Sequence, residues 1–210
     1  MAVSPDADRA GGVLALADWK RRVFALYAQA RAAADPAAAW QGWRDGRDGL
    51  FARHPQSPLA PAERAGFRAL PYFGYDPAVR VLATIAPAEP AAIDIATSQD
   101  GVIRFTRFGT AAFALAGERL ALDLYWLEGY GGGLYLPFSD ATSGTETFGG
   151  GRYLLDTVKG ADLGMQGDRL VLDFNFAYNP SCAYDPRWLC PLAPPANRLA
   201  VPVRAGERTS

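Results

Sequence analysis

The chain has 210 residues, half of them hydrophobic and 12% aromatic, with a formal net charge of -1 at pH 7. That length suits one domain with a sizeable core, and the composition argues against a disordered chain. Near-neutral charge, with no basic run beyond Lys20-Arg21-Arg22, lacks the electrostatic footprint of a nucleic-acid or anionic-membrane binder.

No apolar run approaches the ~20 residues that span a bilayer. The small, polar and acidic start has no secretory pattern. The chain is therefore expected to be soluble and cytoplasmic. Residues 1–12 carry no periodic pattern and read as a disordered tail.

Residues 13–34 read as a helix, because Leu16, Trp19, Val23, Leu26 or Tyr27, and Ala30 recur at steps of three and four. Asp35-Pro36 ends it and opens a second helix, with Asp35 as N-cap and Pro36 at the first helical position. Trp40, Trp43, Arg47 and Leu50 or Phe51 share one face of that helix. Gly42, Gly46 and Gly49 each weaken it by roughly 1 kcal/mol relative to alanine, which points to close backbone packing. It ends at Arg53-His54-Pro55, and Pro61-Ala-Glu-Arg starts a further short turn. The helical segment spans 13–66.

From Pro71 the pattern changes to short runs rich in aromatic and β-branched residues. They are 79–85, 92–97, 102–108, 111–115, 120–126, 133–136, 152–156, 169–174 and 199–203. Turn signals separate many of them, among which Ala86-Pro87, Gly109-Thr110 and the hairpin pair Asp100-Gly101 stand out. The expected fold is α+β and mostly β. Its antiparallel β-barrel or barrel-like sandwich, over 71–204, carries the N-terminal helices packed on it as one unit.

Two connections are unusual. The first, over 137–152, gathers Asp140, Glu146, five hydroxyls, three consecutive glycines and Arg152. The second, over 175–198, is long, proline-rich and aromatic, and holds Cys182 and Cys190. Long loops inside compact domains tend to be functional or disordered, and the aromatic content of this one argues against disorder.

Asp140 and Glu146 are candidates for paired acid–base work, with His54, the single histidine, as a third catalytic residue. The structural alternative has Asp140 capping the turn through the amides of Thr142 and Ser143, and Glu146 pairing with Arg152. Arg152 is the candidate clamp for a carboxylate or phosphate. Thr142, Ser143, Tyr153, Asn175, Tyr178 and Asn179 complete the expected ligand-binding set. Amide side chains of this kind more often satisfy the backbone of an irregular loop.

Neither a nucleophile elbow nor a Walker spacing is present. No flavin, nicotinamide or nucleotide motif occurs, so no cofactor is expected. No metal site is expected either, since two carboxylates alone are weak grounds for one. Cys182 and Cys190 read first as free thiols, with a disulfide as the alternative. Cys182 has no electropositive neighbour in sequence to make it a nucleophile.

The motif Phe138-x-Asp140-x-Thr142-x-Gly144-x-x-Thr147-Phe148-x-x-Gly151-Arg152-Tyr153-Leu154 resembles the signature of the bacterial and archaeal family known as domain of unknown function 1684. Asp173-Phe174-Asn175, Tyr178-Asn179-Pro180-Ser181-Cys182, Asn197-Arg198-Leu199 and Ala205-Gly206-Glu207 continue the resemblance. Phe148 stands where the pattern leads one to expect a tyrosine. The resemblance implies kinship and carries no reaction, cofactor or partner.

The expected function is a polar small-molecule site formed by the two loops, with hydrolase or lyase chemistry. The alternative is a non-catalytic ligand-binding barrel. The expected partner is a small-molecule ligand or substrate, with no nucleic acid and no membrane, and a homodimer is allowed.

Overall fold

The computed structural model describes residues 9–209. Helix α1 runs from Arg9 to Ala32, so it begins inside the stretch expected to be a tail, while residues 1–8 lie outside the described residues. Helix α2 spans Pro36–Arg53. The Asp35 side chain accepts from the Ala37 amide at 2.9 Å, and Pro36 sits where a missing N–H costs nothing. The helix stops at His54, which takes up extended backbone before Pro55, a conformation the proline favours. A third helical piece, α3, covers Pro61–Arg64.

Seven strands follow: β1 (Arg80–Ala96), β2 (Val102–Leu115), β3 (Glu118–Leu127), β4 (Gly133–Phe138), β5 (Arg152–Asp156), β6 (Met165–Gln166) and β7 (Arg169–Asp173). They form one antiparallel sheet in the order β5-β4-β3-β2-β1-β7-β6. The sheet is open, so of the barrel or barrel-like sandwich expected, the closed barrel does not form. Its two edges do not pair with each other. β6 has only two residues, and beyond β5 lies loop backbone, where Tyr153 and Tyr178 exchange hydrogen bonds of 2.9 and 3.1 Å.

The runs read as four strands over 79–115 are two long ones. Pro87 stands opposite Gly109, and the register of the β1–β2 pair shifts between Pro87 and Ala91. The punctuation that reads as two turns is one irregularity in a continuous pair, placed where a proline lacks its ladder donor. Asp100-Gly101 does make the hairpin turn, with Gly101 at φ 124°. Residues 199–203 form no strand. They are an irregular segment whose Leu199 and Val203 are buried in the core.

The pleat divides the core in two. Leu122, Leu124, Leu136, Leu154 and Phe174 form one apolar layer, closed by Leu199, Val203 and Ala205 of the C-terminal segment. The neighbouring positions Tyr125, Tyr135 and Tyr153 point the other way, onto Tyr27, Trp40 and Trp43 of the helices. Gly46 of α2 packs close against α1, since a Cβ there would collide with the Leu26 side chain. Gly42 faces open space, so close packing accounts for only part of the glycine pattern. The seam between helices and sheet is therefore aromatic on both sides.

Candidate ligand site at the helix–sheet seam

The 139–151 loop spends its polar groups on itself. Asp140 Oδ1 accepts from the Thr142 amide (2.7 Å), the Thr142 hydroxyl (2.6 Å) and the Val203 amide (3.2 Å). Its Oδ2 takes Arg152 Nη2 at 2.8 Å. Arg152 also donates to the carbonyls of Val203, Ala205 and Glu207. Burial pulls the Arg152 pKa down, against the pull of Asp140. Ser143 Oγ accepts from the Asp140 amide at 3.0 Å, and Thr142 Oγ meets Thr147 Oγ at 2.9 Å. Asp140 thus caps the turn, as its structural alternative has it, and Arg152 ties the turn to the C-terminal segment.

Glu146 does not pair with Arg152 or approach a shared site with Asp140. It sits at the surface, 2.8 Å from Arg204, whose hydrogen bonds hold its carboxyl below the usual range. The expected carboxylate pair is split between a buried lock and a surface ion pair.

His54 lies in the helical layer, in a cleft of ≈ 520 Å³ between α1 and α2. Its Nδ1 accepts from the Gln56 amide at 3.1 Å, which places the proton on Nε2 for donation to Asp18 Oδ2 at 3.2 Å. Asp18 is held below its usual pKa first by Arg22, 2.6 Å away, and then by His54. Both imidazole nitrogens are occupied, and His54 is not joined to Asp140. The expected catalytic trio therefore does not meet in one place.

Asn175 is also consumed. It takes the Asp76 amide at 2.9 Å and donates to Asp76 O and Asp173 Oδ1, both at 2.8 Å. It fastens the chain before β1 to the end of β7.

The remaining three, Tyr153, Tyr178 and Asn179, do come together. They line a cleft of ≈ 50 Å³ at the helix–sheet seam, opposite Tyr27, Trp43 and Arg47 and beside Lys159. Three buried polar atoms here have no hydrogen-bond partner: Tyr27 Oη, Trp43 Nε1 and Asn179 Oδ1. Burial pushes the Tyr27 phenol pKa up, so it remains a donor. An unpartnered buried polar atom costs about 1–3 kcal/mol, so three in one cleft need a reason.

Cations flank them. Arg47 Nε donates to Tyr72 Oη and Nη2 to Glu207 Oε2, both at 2.9 Å. Its guanidinium lies 4.9–5.2 Å from the ring centres of Trp43, Phe51 and Tyr178. Among the described residues Nη1 has no hydrogen bond. Burial works against the Arg47 charge, but Tyr72 and Glu207 hold its pKa well above the ordinary value. Lys159 is 2.9 Å from Asp156 and one-third exposed at 33%; burial opposes its charge and Asp156 outweighs that.

Glu207 anchors the arrangement from behind. It is fully buried and accepts from Arg47, the Asn179 amide (3.0 Å) and the Tyr184 hydroxyl. A second cavity of ≈ 140 Å³, walled by Phe105, Tyr135, Trp188 and Cys190, shares Lys159 and Ser181 with the cleft.

Sequence reasoning missed Tyr27, Trp43, Arg47, Lys159 and Glu207 as site residues. Arg47 left a signal, since a cation in the apolar stripe of α2 must be paired or must line something. Lys159 left no local signal, and Glu207 only its place in the Ala205-Gly206-Glu207 motif, because long-range packing brings both to the seam. Among the described residues no cluster of three His, Cys, Asp or Glu could hold a metal ion, and both cysteines are unbridged.

An open antiparallel sheet, with two helices across one face and a polar-walled cleft at their seam, defines the protein as a small α+β domain. The chain belongs to the family described as protein of unknown function (DUF1684), which it matches over residues 65–208. It is also similar to an uncharacterised protein of Haloarcula marismortui known from a solution structure, with 41% identity and a TM-score of 0.59, over 80% of this chain and 91% of that one. No curated protein matches it. The family span holds Tyr153, Lys159, Tyr178, Asn179 and Glu207, while Tyr27, Trp43 and Arg47 precede it. No helix among the described residues is long and apolar enough to cross a membrane.

Proposed function

We propose that the protein binds a small organic anion, a carboxylate, at the helix–sheet seam. The observation that carries this reading is the convergence of two unpartnered buried donors, Tyr27 Oη and Trp43 Nε1, on one cleft walled by Arg47 and Lys159. Tyr27 and Trp43 offer an O–H and an N–H, and Arg47 an unbonded Nη1; the aromatic walls strengthen these contacts by excluding water. The reading keeps the 175–198 loop as a site wall through Tyr178 and Asn179, and moves the site away from 137–152. It is a binding role, because Asp140, Glu146 and His54 are each committed to separate partners.

Titration with acetate, pyruvate and benzoate tests it, followed by thermal melting and tryptophan fluorescence. A bound carboxylate raises Tm with concentration. Tyr27→Phe removes one donor without disturbing the Arg47–Glu207 pair, and should weaken binding about tenfold, in line with the loss of one charge-assisted hydrogen bond. The reading is wrong if no carboxylate shifts Tm, or if the variant binds as tightly as the parent chain.

A further inference from the structure

The seam cleft and the cavity beside it differ in chemistry. The cleft presents two buried donors, Tyr27 Oη and Trp43 Nε1, that have no acceptor. The cavity's polar wall groups are spent on the protein. Tyr135 Oη donates to Pro191 O at 3.0 Å, Trp188 Nε1 to Pro58 O at 3.1 Å, and Lys159 pairs with Asp156 at 2.9 Å. Most of that wall is hydrocarbon, with Phe105, Leu127, Tyr135 and Trp188 among it. Phe105 and Tyr135 stack with ring centres 4.9 Å apart. One space suits a polar group and the other an apolar one.

The two also differ in size. A water molecule takes about 30 Å³ of liquid volume, so the cleft, at ≈ 50 Å³, holds a carboxylate and no ring. An apolar cavity of about 150 Å³ takes up benzene, and the second space measures ≈ 140 Å³. Its wall includes Leu189, 38% exposed, which gives a solute a way in from the surface.

The two spaces abut. Lys159 and Ser181 line both, and Tyr153 of the cleft meets Tyr135 of the cavity edge to face, with ring centres 5.1 Å apart. Lys159 Nζ lies 5.4 Å from the centre of the Tyr153 ring. Its ammonium can therefore serve an anion in the cleft while its methylenes cover apolar atoms in the cavity.

We propose that the ligand is an arylalkanoate, with its carboxylate in the cleft, its ring in the cavity and a short alkyl linker passing Lys159. This rests on the carboxylate reading and supplies the other half of the molecule. The buried donors and Arg47 fix the orientation of the anionic end, and burial of the ring provides most of the affinity.

The test is fluorescence titration of the full chain with acetate, phenylacetate, phenylpropionate and phenylbutyrate, and with the neutral amide of phenylpropionate. Trp43 reports on the cleft and Trp188 on the cavity. The best arylalkanoate should bind about thirtyfold tighter than acetate, the gain expected for burying one ring. The neutral amide should bind at least about tenfold more weakly than its acid. Leu127→Phe, which narrows the cavity, should bring the arylalkanoate-to-acetate ratio close to one, whereas Tyr27→Phe should weaken both and keep the ratio. If Leu127→Phe does not fold, the ligand series on the parent chain decides. A ring that adds nothing over acetate overturns the arylalkanoate and leaves the carboxylate reading standing. An amide that binds as tightly as its acid overturns the carboxylate reading, and the arylalkanoate with it.

Discussion

Asp140 and Arg152 meet at 2.8 Å with side chains 0% and 1% exposed, and every other side-chain hydrogen bond of the pair is to the loop and the C-terminal segment. Burying two charges is expensive, and the pair is sustained because carbonyls and amides satisfy most of what the charges do not. This fastener holds residues 203–207 in place, and Glu207 within that segment holds Arg47 at the seam.

Asp140→Ala should therefore unfold the protein rather than modulate it. It leaves Arg152 buried without its counterion, at a cost of about 3–5 kcal/mol. Adding Arg152→Met removes the stranded charge and should recover part of that loss. Urea denaturation of the single and double variants measures both values. A single variant as stable as the parent would show that the pair is not a fastener.

Glu146 should behave in the opposite way. Arg204 keeps its carboxyl below the usual value of 4.5, so its contribution is present above that value and is lost as pH falls through the lowered one. The pair is at the surface and screened. Glu146→Gln should change the melting temperature little at pH 7, and any difference should shrink in high salt. Melts between pH 3 and 7 at two salt concentrations resolve this.

Asp173 has the reverse sign. Burial raises its pKa above 3.8, against the hydrogen bonds from Asn175 and the pull of Arg80. Oδ2 has no hydrogen bond, and Arg80 Nε is 3.8 Å away. A carboxyl raised in the folded state contributes stability in full below its unfolded value, and loses it as pH rises through the folded one. Asp173→Asn keeps the Oδ1 acceptor that Asn175 uses. Stability of the variant relative to the parent should rise from pH 4 towards pH 7. Chemical denaturation across that range measures it, and a falling difference would contradict the sign.

Much of the fold was legible because its signals are local. The Asp35-Pro36 cap, the apolar stripes of α1 and α2, and the Asp100-Gly101 turn each depend on a few adjacent residues. The barrel was not, since closure depends on what pairs with β5, and there Tyr178 backbone takes the place of a strand. The site was half legible. Tyr153, Tyr178 and Asn179 share the cleft, but polar density in 137–152 misled, because a turn that buries its own carboxylate needs as many donors as a ligand would. Arg47 was visible in the α2 stripe, and only the tertiary fold shows that Glu207 is its counterion.

Glycine substitutions separate the two long strands from the helix. Gly109 stands opposite Pro87 at the β1–β2 irregularity, and a Cβ there would lie 2.8 Å from the Ala86 carbonyl oxygen. Backbone on both sides leaves little room to yield, so Gly109→Ala should cost about 1–3 kcal/mol. Gly42 is exposed on α2 with nothing near its missing Cβ. Gly42→Ala should stabilise by about 0.5–1 kcal/mol through helix propensity alone. The two urea midpoints should therefore move in opposite directions from the parent. A neutral Gly109→Ala would mean that the irregularity can open without loss, and that the two halves of the β1–β2 pair are less tightly joined than their register implies.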